Sequence, residues 1–548
     1  MEQLRPKLWD AMKNYSKKQL MKDVISGIIV AIIALPLSIA LALASGVTPE
    51  KGIYTSIIAG FIISFLGGSR VQIAGPTAAF ATIVAGIVAE SGMDGLIIAT
   101  VMAGILLVLM GLFRFGSLIK YIPYTITTGF TAGIAVTILV GQIKDFLGLT
   151  VQADHPLVDT MEKLEYDIRF IGTVNWQALL VGVVSLMILI LWPKVNRVIP
   201  GSLIAVIAGI FMVSGFGIRA NTIGDLYTIT SQLPAFHLPQ VTPGIIRNEL
   251  GDAFTIAILA AIESLLSCVV SDGMINDRHN SNTELVAQGF GNIASVLFGG
   301  IPATGAIART AANIKNGGKT PIAGMVHSIV LLLVLVVLMP YAALIPMPTI
   351  AAILFMVAYN MCGWRQFVYL CRTAPKSDII VLVTTFVLTV AFDLVIAIEV
   401  GMVLAAALFM KRMSEETEIQ SWRYVEEQDD PDSMSLRKVP PHTLVYEING
   451  PMFFGVADKL IDNMTLSEKE NCLILRMRSV NAIDATALHA MEQLLKECRY
   501  KKIQLILSHV NEQPRHMMEK AGFTEKLGEK YFCAHIDDAL VCAQECQC

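Results

Sequence analysis

The sequence predicts a multi-pass α-helical membrane protein with fourteen transmembrane spans in a 7+7 inverted repeat, followed by a small C-terminal α/β domain. Three observations predict it. Of the 548 residues, 54% are hydrophobic and only 16% charged, with a mean hydropathy of +0.61. Apolar runs of about 20 residues, enough to cross a bilayer, recur from Val24 to Met410. Two stretches at corresponding places in the two halves look alike. The first is Gly67-Gly68-Ser69-Arg70-Val71-Gln72-Ile73-Ala74-Gly75-Pro76-Thr77-Ala78-Ala79-Phe80, the second Gly299-Gly300-Ile301-Pro302-Ala303-Thr304-Gly305-Ala306-Ile307-Ala308-Arg309-Thr310.

Residues 1–22 form a polar, basic segment (Arg5, Lys7, Lys13, Lys17, Lys18, Lys22), which places the N-terminus in the cytoplasm by the positive-inside rule. No cleavable signal is expected, because the first apolar run begins near Val24 behind this leader. A transmembrane domain at 23–412 follows. Its first seven spans read as 24–44, 51–68, 75–89, 95–113, 122–141, 175–192 and 200–216. The second seven read as 252–271, 284–299, 304–315, 321–340, 344–361, 378–392 and 394–410. Arg70, Arg114, Lys120, Lys194, Arg197, Arg278, Lys315, Lys319, Arg365, Arg372, Lys376, Lys411 and Arg412 then fall on one side. The acidic loop of Asp154, Asp159, Glu162, Glu165 and Asp167 falls on the other. An odd number of spans per half turns the second half upside down, the architecture of secondary transporters with the site between the halves.

Residues 413–440 read as a charged linker containing Asp429-Asp430-Pro431-Asp432. From 441 to 548 the chain turns soluble and α/β, with strand-like Thr443–Ile448, Cys472–Met477 and Ile503–Ser508 and helical Ala485–Glu497 and Glu512–Ala521. The nine cysteines have no spacing that demands disulfides and read as reduced thiols. The Cys542-x3-Cys546-x-Cys548 tail reads as free thiols, because no His or carboxylate cluster completes a metal site. No metal or cofactor is expected. Lys+Arg 41 against Asp+Glu 45 gives no reason to expect nucleic acid.

In a membrane, backbone that leaves helical geometry must be buried in protein or line a wet cavity, and a matched pair of Gly/Pro-interrupted spans points to a transporter's binding site. Each half-helix that follows such a break offers free N–H groups and about half a positive charge at its N-terminus, and two facing ends make an anion site. Ordinary helix breaks at loops are the bland alternative. The candidate substrate-binding residues are Gly75, Thr77, Ala78, Thr304, Gly305, Ala306, Ala308 and Arg309, with Ser38 beside the mid-span Pro36. Arg309 suits oxyanions and carboxylates, which a guanidinium grips bidentately, or else it pairs with Glu263. Glu263 lies mid-span in the eighth segment, where a bare carboxylate costs at least a few kcal/mol and must be protonated, paired or bound to a cation. Ser267, four residues on, shares its helix face. Glu263 and Ser267 are therefore the candidate coupling-ion residues. Glu399, in the last span, is given no role beyond an internal pair.

The stretch Pro49-Glu50-Lys51-Gly52-Ile53-Tyr54-Thr55-Ser56, ending in Gly67-Gly68-Ser69-Arg70, resembles the signature of the SulP sulfate permeases, the animal solute-carrier family 26 among them. It has Lys51 and Ile53 where relatives more often show Tyr-Gly-Leu-Tyr. Gly75-Pro76-Thr77-Ala78 and Ala306-Ile307-Ala308-Arg309-Thr310 also fit, and Ile483-Asp484-Ala485-Thr486-Ala487-Leu488 resembles a STAS domain. The resemblance covers nearly the whole chain. It implies the fourteen-span fold, a cytoplasmic STAS domain open to a protein partner, a homodimer, and anion transport by an elevator-like movement of a core against a gate. In related bicarbonate carriers an acidic residue and a hydroxyl of the eighth span bind sodium; Glu263 and Ser267 match in type, with Glu in place of Asp. Many animal relatives carry Gln where this chain has Leu37, so no substrate contact is carried over there. Thr486 occupies the position phosphorylated in bacterial anti-sigma antagonists, and is a regulatory candidate.

The expected function is proton-coupled uptake of sulfate or a small carboxylate across the inner membrane, with both termini cytoplasmic. Sodium-coupled bicarbonate uptake is the alternative within transport. A nucleobase carrier of the same architecture would lack a STAS domain. A non-transporting sensor with STAS output has no need of a midplane anion site, and no nucleophile–base pair or metal cluster suggests an enzyme.

Overall fold

The computed structural model describes residues 4–13, 15–117, 123–152, 157, 159–196, 199–392, 394–415, 418–421, 439–453 and 470–545. Lys120, Asp154, Arg197, Asp429-Asp430-Pro431-Asp432, most of the 413–440 linker and the tail cysteines Cys546 and Cys548 lie outside these residues. The chain divides into two units, Met1–Met402 and Val403–Cys548, with the division inside helix Leu394–Glu415.

Every one of the apolar segments read from the sequence is helical through most of its length. Among the described residues, seven helices are long and apolar enough to cross a membrane by length and composition. Spans 75–89 and 95–113 follow each other within Ala81–Leu112 as two helices separated by a kink at Gly92, whose φ of 68° and ψ of −166° no side-chain-bearing residue adopts readily. One segment departs from the expectation. The segment 200–216 is an α-helix, Gly201–Ile210, that widens into a π-helical turn at Phe211–Gly215.

The first unit contains two helix bundles. Lys17–Ala44, Pro49–Leu66, Ala81–Leu112, Leu250–Ile275, Ser281–Leu297, Ile307–Lys315 and Ile322–Ala342 pack on one another. Tyr124–Gly141, Trp176–Val195, Gly201–Ile210, Met347–Cys362 and Lys376–Ala391 form the second group. The two meet where Lys17–Ala44 lies against Gly201–Ile210 and Met347–Cys362. Small residues let the backbones of the first bundle touch, as membrane helices require. A methyl group added at Gly52 would lie 2.0 Å from the Ser38 carbonyl oxygen.

The two unusual stretches are where this bundle stops being helical. After Leu66 the chain crosses Gly67 and Gly68 into a two-residue strand, Ala74–Gly75, and resumes at Ala78–Phe80 as a 3-10 turn leading into Ala81–Leu112. After Leu297 it passes Gly299, at φ 79°, into Thr304–Gly305, and resumes as helix Ile307–Lys315. The two strands pair antiparallel, Ala74 opposite Gly305 and Gly75 opposite Thr304. Each thus satisfies the backbone groups of the other where no helix can.

The second unit has a five-stranded sheet in the order Glu418–Ser421, Thr443–Asn449, Cys472–Ser479, Gln504–Ser508, Phe532–Cys533, the first pair antiparallel and the rest parallel. Alternation along the strands sorts its two faces. Leu444, Tyr446, Leu473, Leu475, Leu505 and Leu507 pack with helix Ala485–Tyr500. Val445, Ile474 and Ile506 pack with helix Ile536–Glu545. A parallel sheet needs both faces covered, which these helices provide.

Candidate functional site

The crossing strands set the site. The Ala306 N–H donates to the Ile73 carbonyl at 2.8 Å, and the Ile73 N–H donates to Thr310 Oγ1 at 3.0 Å, so the starts of both half-helices are tied to one crossing. Thr77 precedes the 3-10 turn, but its hydroxyl does not cap it. It donates instead to Glu263 Oε2 at 2.9 Å, and Thr304 Oγ1 donates to the same oxygen at 3.0 Å. The two hydroxyls are themselves 3.2 Å apart. Glu263 comes from helix Leu250–Ile275, whose Ser264 Oγ accepts the Gly305 N–H at 3.1 Å.

Arg309 lies within the first turn of Ile307–Lys315 and is 2% exposed. Its Nη1 donates to Ser56 Oγ at 3.2 Å, and its Nη2 to Ser38 Oγ at 3.3 Å and the Pro76 carbonyl at 3.4 Å. Ser38 and Ser56 hydroxyls are 2.9 Å apart. All three partners are neutral oxygens, and among the described residues no ion pair joins Arg309 to Glu263. The guanidinium therefore has no carboxylate among its hydrogen-bond partners, in a place where a buried charge without a direct counter-ion is expensive. Thr77, Glu263 and Ala306 are half-buried and Ala308 is exposed, whereas Ser38, Gly75, Ala78, Thr304, Gly305 and Arg309 are buried. Thr77, Glu263, Ala306 and Ala308 are thus the residues of the site that are not fully buried. A small anion held there would meet the N-termini of both half-helices, with the guanidinium behind them.

Ser267 does not join Glu263. Its hydroxyl is buried without a hydrogen-bond partner among the described residues, and Ser264 reaches the strand crossing instead. Glu399 is exposed, and no internal ion pair holds it among the described residues. Thr486 is exposed in the first turn of Ala485–Tyr500, where Asp484 caps by accepting the Ala487 N–H at 2.8 Å. Ser56, Ser264 and the Pro76 carbonyl were not singled out by sequence reasoning. Hydroxyls in apolar spans are a signal, but several spans carry them.

Residues 20–385 match the model of the Sulfate permease family, and residues 435–539 match that of the STAS domain. The chain is 40% identical over 531 residues to YvdB of Bacillus subtilis (strain 168), covering 96% of this chain and 98% of that protein, whose name as a sulfate transporter is itself provisional. It is 30% identical over 521 residues to the bicarbonate transporter BicA of Picosynechococcus sp. (strain ATCC 27264 / PCC 7002 / PR-6), covering 91% and 90% of the two chains. The overall structure of SLC26A9 superposes with a TM-score of 0.88 over 98% of this chain and 92% of that one, at 18% identity, which is a likeness of fold.

Proposed function

Because the chain belongs to the Sulfate permease family of anion transporters, we propose that it takes up sulfate or a small carboxylate together with protons, by an elevator-type mechanism. The observation that carries the anion site is Arg309, buried and surrounded by neutral oxygens at the N-terminus of a half-helix. An oxyanion or carboxylate supplies the missing negative charge and accepts from the guanidinium and the free N–H groups together.

The proton is assigned to Glu263. Its protein partners are the hydroxyls of Thr77 and Thr304, and a hydroxyl can donate or accept. Both the carboxylate and the carboxylic acid are therefore satisfied at little structural cost. With Glu263 ionised, the Glu263 and Arg309 charges cancel overall; with Glu263 protonated, the site is net positive and favours an anion. Proton and anion binding thereby reinforce each other. Movement of the first bundle, which carries the crossing strands, against the second would then present the loaded site to the other side of the membrane. The domain limits 23–412, 413–440 and 441–548, the inner membrane, cytoplasmic termini, a homodimer, a cytoplasmic protein partner of the STAS domain and regulation through Thr486 belong to the same proposal.

The similarity to BicA favours a second reading, sodium-coupled bicarbonate uptake, in which Glu263 Oε2 and the two threonine hydroxyls face a cation. Uptake of labelled sulfate, succinate, fumarate and bicarbonate into proteoliposomes, with pH and sodium gradients imposed separately, decides between them. Acceleration by acid outside supports proton coupling. Dependence on sodium alone overturns it. No uptake of any anion by folded protein counts against transport.

A further inference from the structure

We propose that Glu284, acting through Gln72, is a positioning residue that holds the crossing strands in their anion-binding geometry; this rests on the anion site proposed above. Glu284 is fully buried in the first turn of Ser281–Leu297, the end of a helix that favours negative charge. It accepts four hydrogen bonds. The backbone N–H groups of Gly68 and Ser69 donate to Oε2 at 2.9 and 3.2 Å, and Gln72 Nε2 and Gln288 Nε2 donate to Oε1 at 2.7 and 2.9 Å. Every partner is an N–H donor, so the arrangement fits a carboxylate and has no acceptor for a carboxyl proton. Glu263, with its two hydroxyls, is the opposite case.

An anion at Glu284 fixes which way the Gln72 carboxamide points. Nε2 must face the carboxylate, and Oε1 then accepts from Cys268 Sγ at 2.8 Å, a residue of the helix that carries Glu263 and Ser264. The oriented carboxamide lies directly against Gly305: a methyl group there would stand 2.2 Å from Gln72 Nε2 and 2.4 Å from its Cδ. Gly305 donates to Ser264, and the adjacent Thr304 holds Glu263. The carboxylate in Ser281–Leu297 thus props the second strand through one side chain, without touching Arg309 or Glu263 itself.

A strut of this kind makes a non-additive prediction for purified protein in proteoliposomes, with labelled sulfate as the probe, or succinate if the wild type takes up succinate instead. Gln72→Ala removes the prop and Gly305→Ala drives the strand off it, and each raises the KM about tenfold with a smaller change in maximal rate. The double variant Gln72→Ala/Gly305→Ala, in which the new methyl enters the vacated space, recovers most of the wild-type KM. Glu284→Gln, which cannot accept from all four donors in their present orientation, raises the KM in the same direction. A merely structural role lowers the yield of folded protein and leaves the KM untouched. Wild-type KM in folded Gln72→Ala, or strictly additive effects in the double variant, would overturn the proposal even if Glu284→Gln does not fold. Absence of uptake by the wild type counts instead against the proposed function.

Discussion

Gly75 and Arg309 are packed so closely that a methyl group at Gly75 would lie 2.2 Å from Arg309 Nη1. The glycine is needed for proximity: the backbone of one half-helix entry rests on the guanidinium of the other. Arg309 is held on three sides by Ser56, Ser38 and Pro76, so it cannot yield without losing hydrogen bonds in a buried place. Overpacking of this kind costs about 1–3 kcal/mol. Gly75→Ala is expected to raise the KM for the transported anion by about 5- to 150-fold, or abolish uptake, in protein that still elutes as a folded species. Wild-type kinetics in folded Gly75→Ala would place the anion away from Arg309.

Glu263→Gln imitates the protonated acid permanently and keeps an oxygen for Thr77 and Thr304. Anion exchange between the two sides should persist, while acceleration of uptake by acid outside disappears. Counterflow of labelled anion measures the first and a pH-jump assay the second. Uphill accumulation driven by a proton gradient in the variant would show that another group carries the proton.

Bulk placed at the half-helix starts should block the site without unfolding the bundle. Ala306, at the position before Ile307–Lys315, is half-buried, as is Thr77. Ala306→Trp and Thr77→Phe are expected to lose uptake by at least about tenfold, with a melting transition near that of the wild type. Normal uptake by a well-folded Ala306→Trp transporter would displace the site.

Residues 441–548 should fold alone, because both faces of their parallel sheet are covered by helices of the same segment. Cys498 reports on this. Burial pushes its thiol up to about 12, with Glu497 adding to the shift, far above an ordinary thiol. In the isolated domain at pH 8 it should resist maleimide until urea unfolds the sheet, as followed by mass spectrometry of the modified peptide. Deleting the domain should impair transport or assembly and leave the order of anion preference unchanged, which a competition assay with unlabelled anions would check.

Much of this protein could be read from its residues in order. The apolar segments are helical where their length and hydropathy require it, and the two interruptions lie where Gly-Gly pairs run into residues poor in helix formers. Glu263 and Arg309 stood out because an ionisable group in an apolar span needs a reason. Glu284 carries the same signal, yet it sits at the margin of its segment, where a charge is cheaper and easily overlooked.

Which of these groups meet was decided by the tertiary structure alone. Thr77 and Glu263 are 186 residues apart and share a hydrogen bond because two short strands cross. Helical spacing put Ser267 on the face of Glu263, but spacing defines only a face, and that Ser264 accepts from Gly305 follows from the crossing. Likewise the sequence left Arg309 free to pair with Glu263 or to face a substrate. The fold surrounds it with Ser38, Ser56 and the Pro76 carbonyl, three neutral oxygens from two helices and a strand end. Local composition determines where backbone can be helical, because each segment meets that requirement from its own residues. A binding site joins segments far apart in the chain, and their contacts are set by how the helices pack.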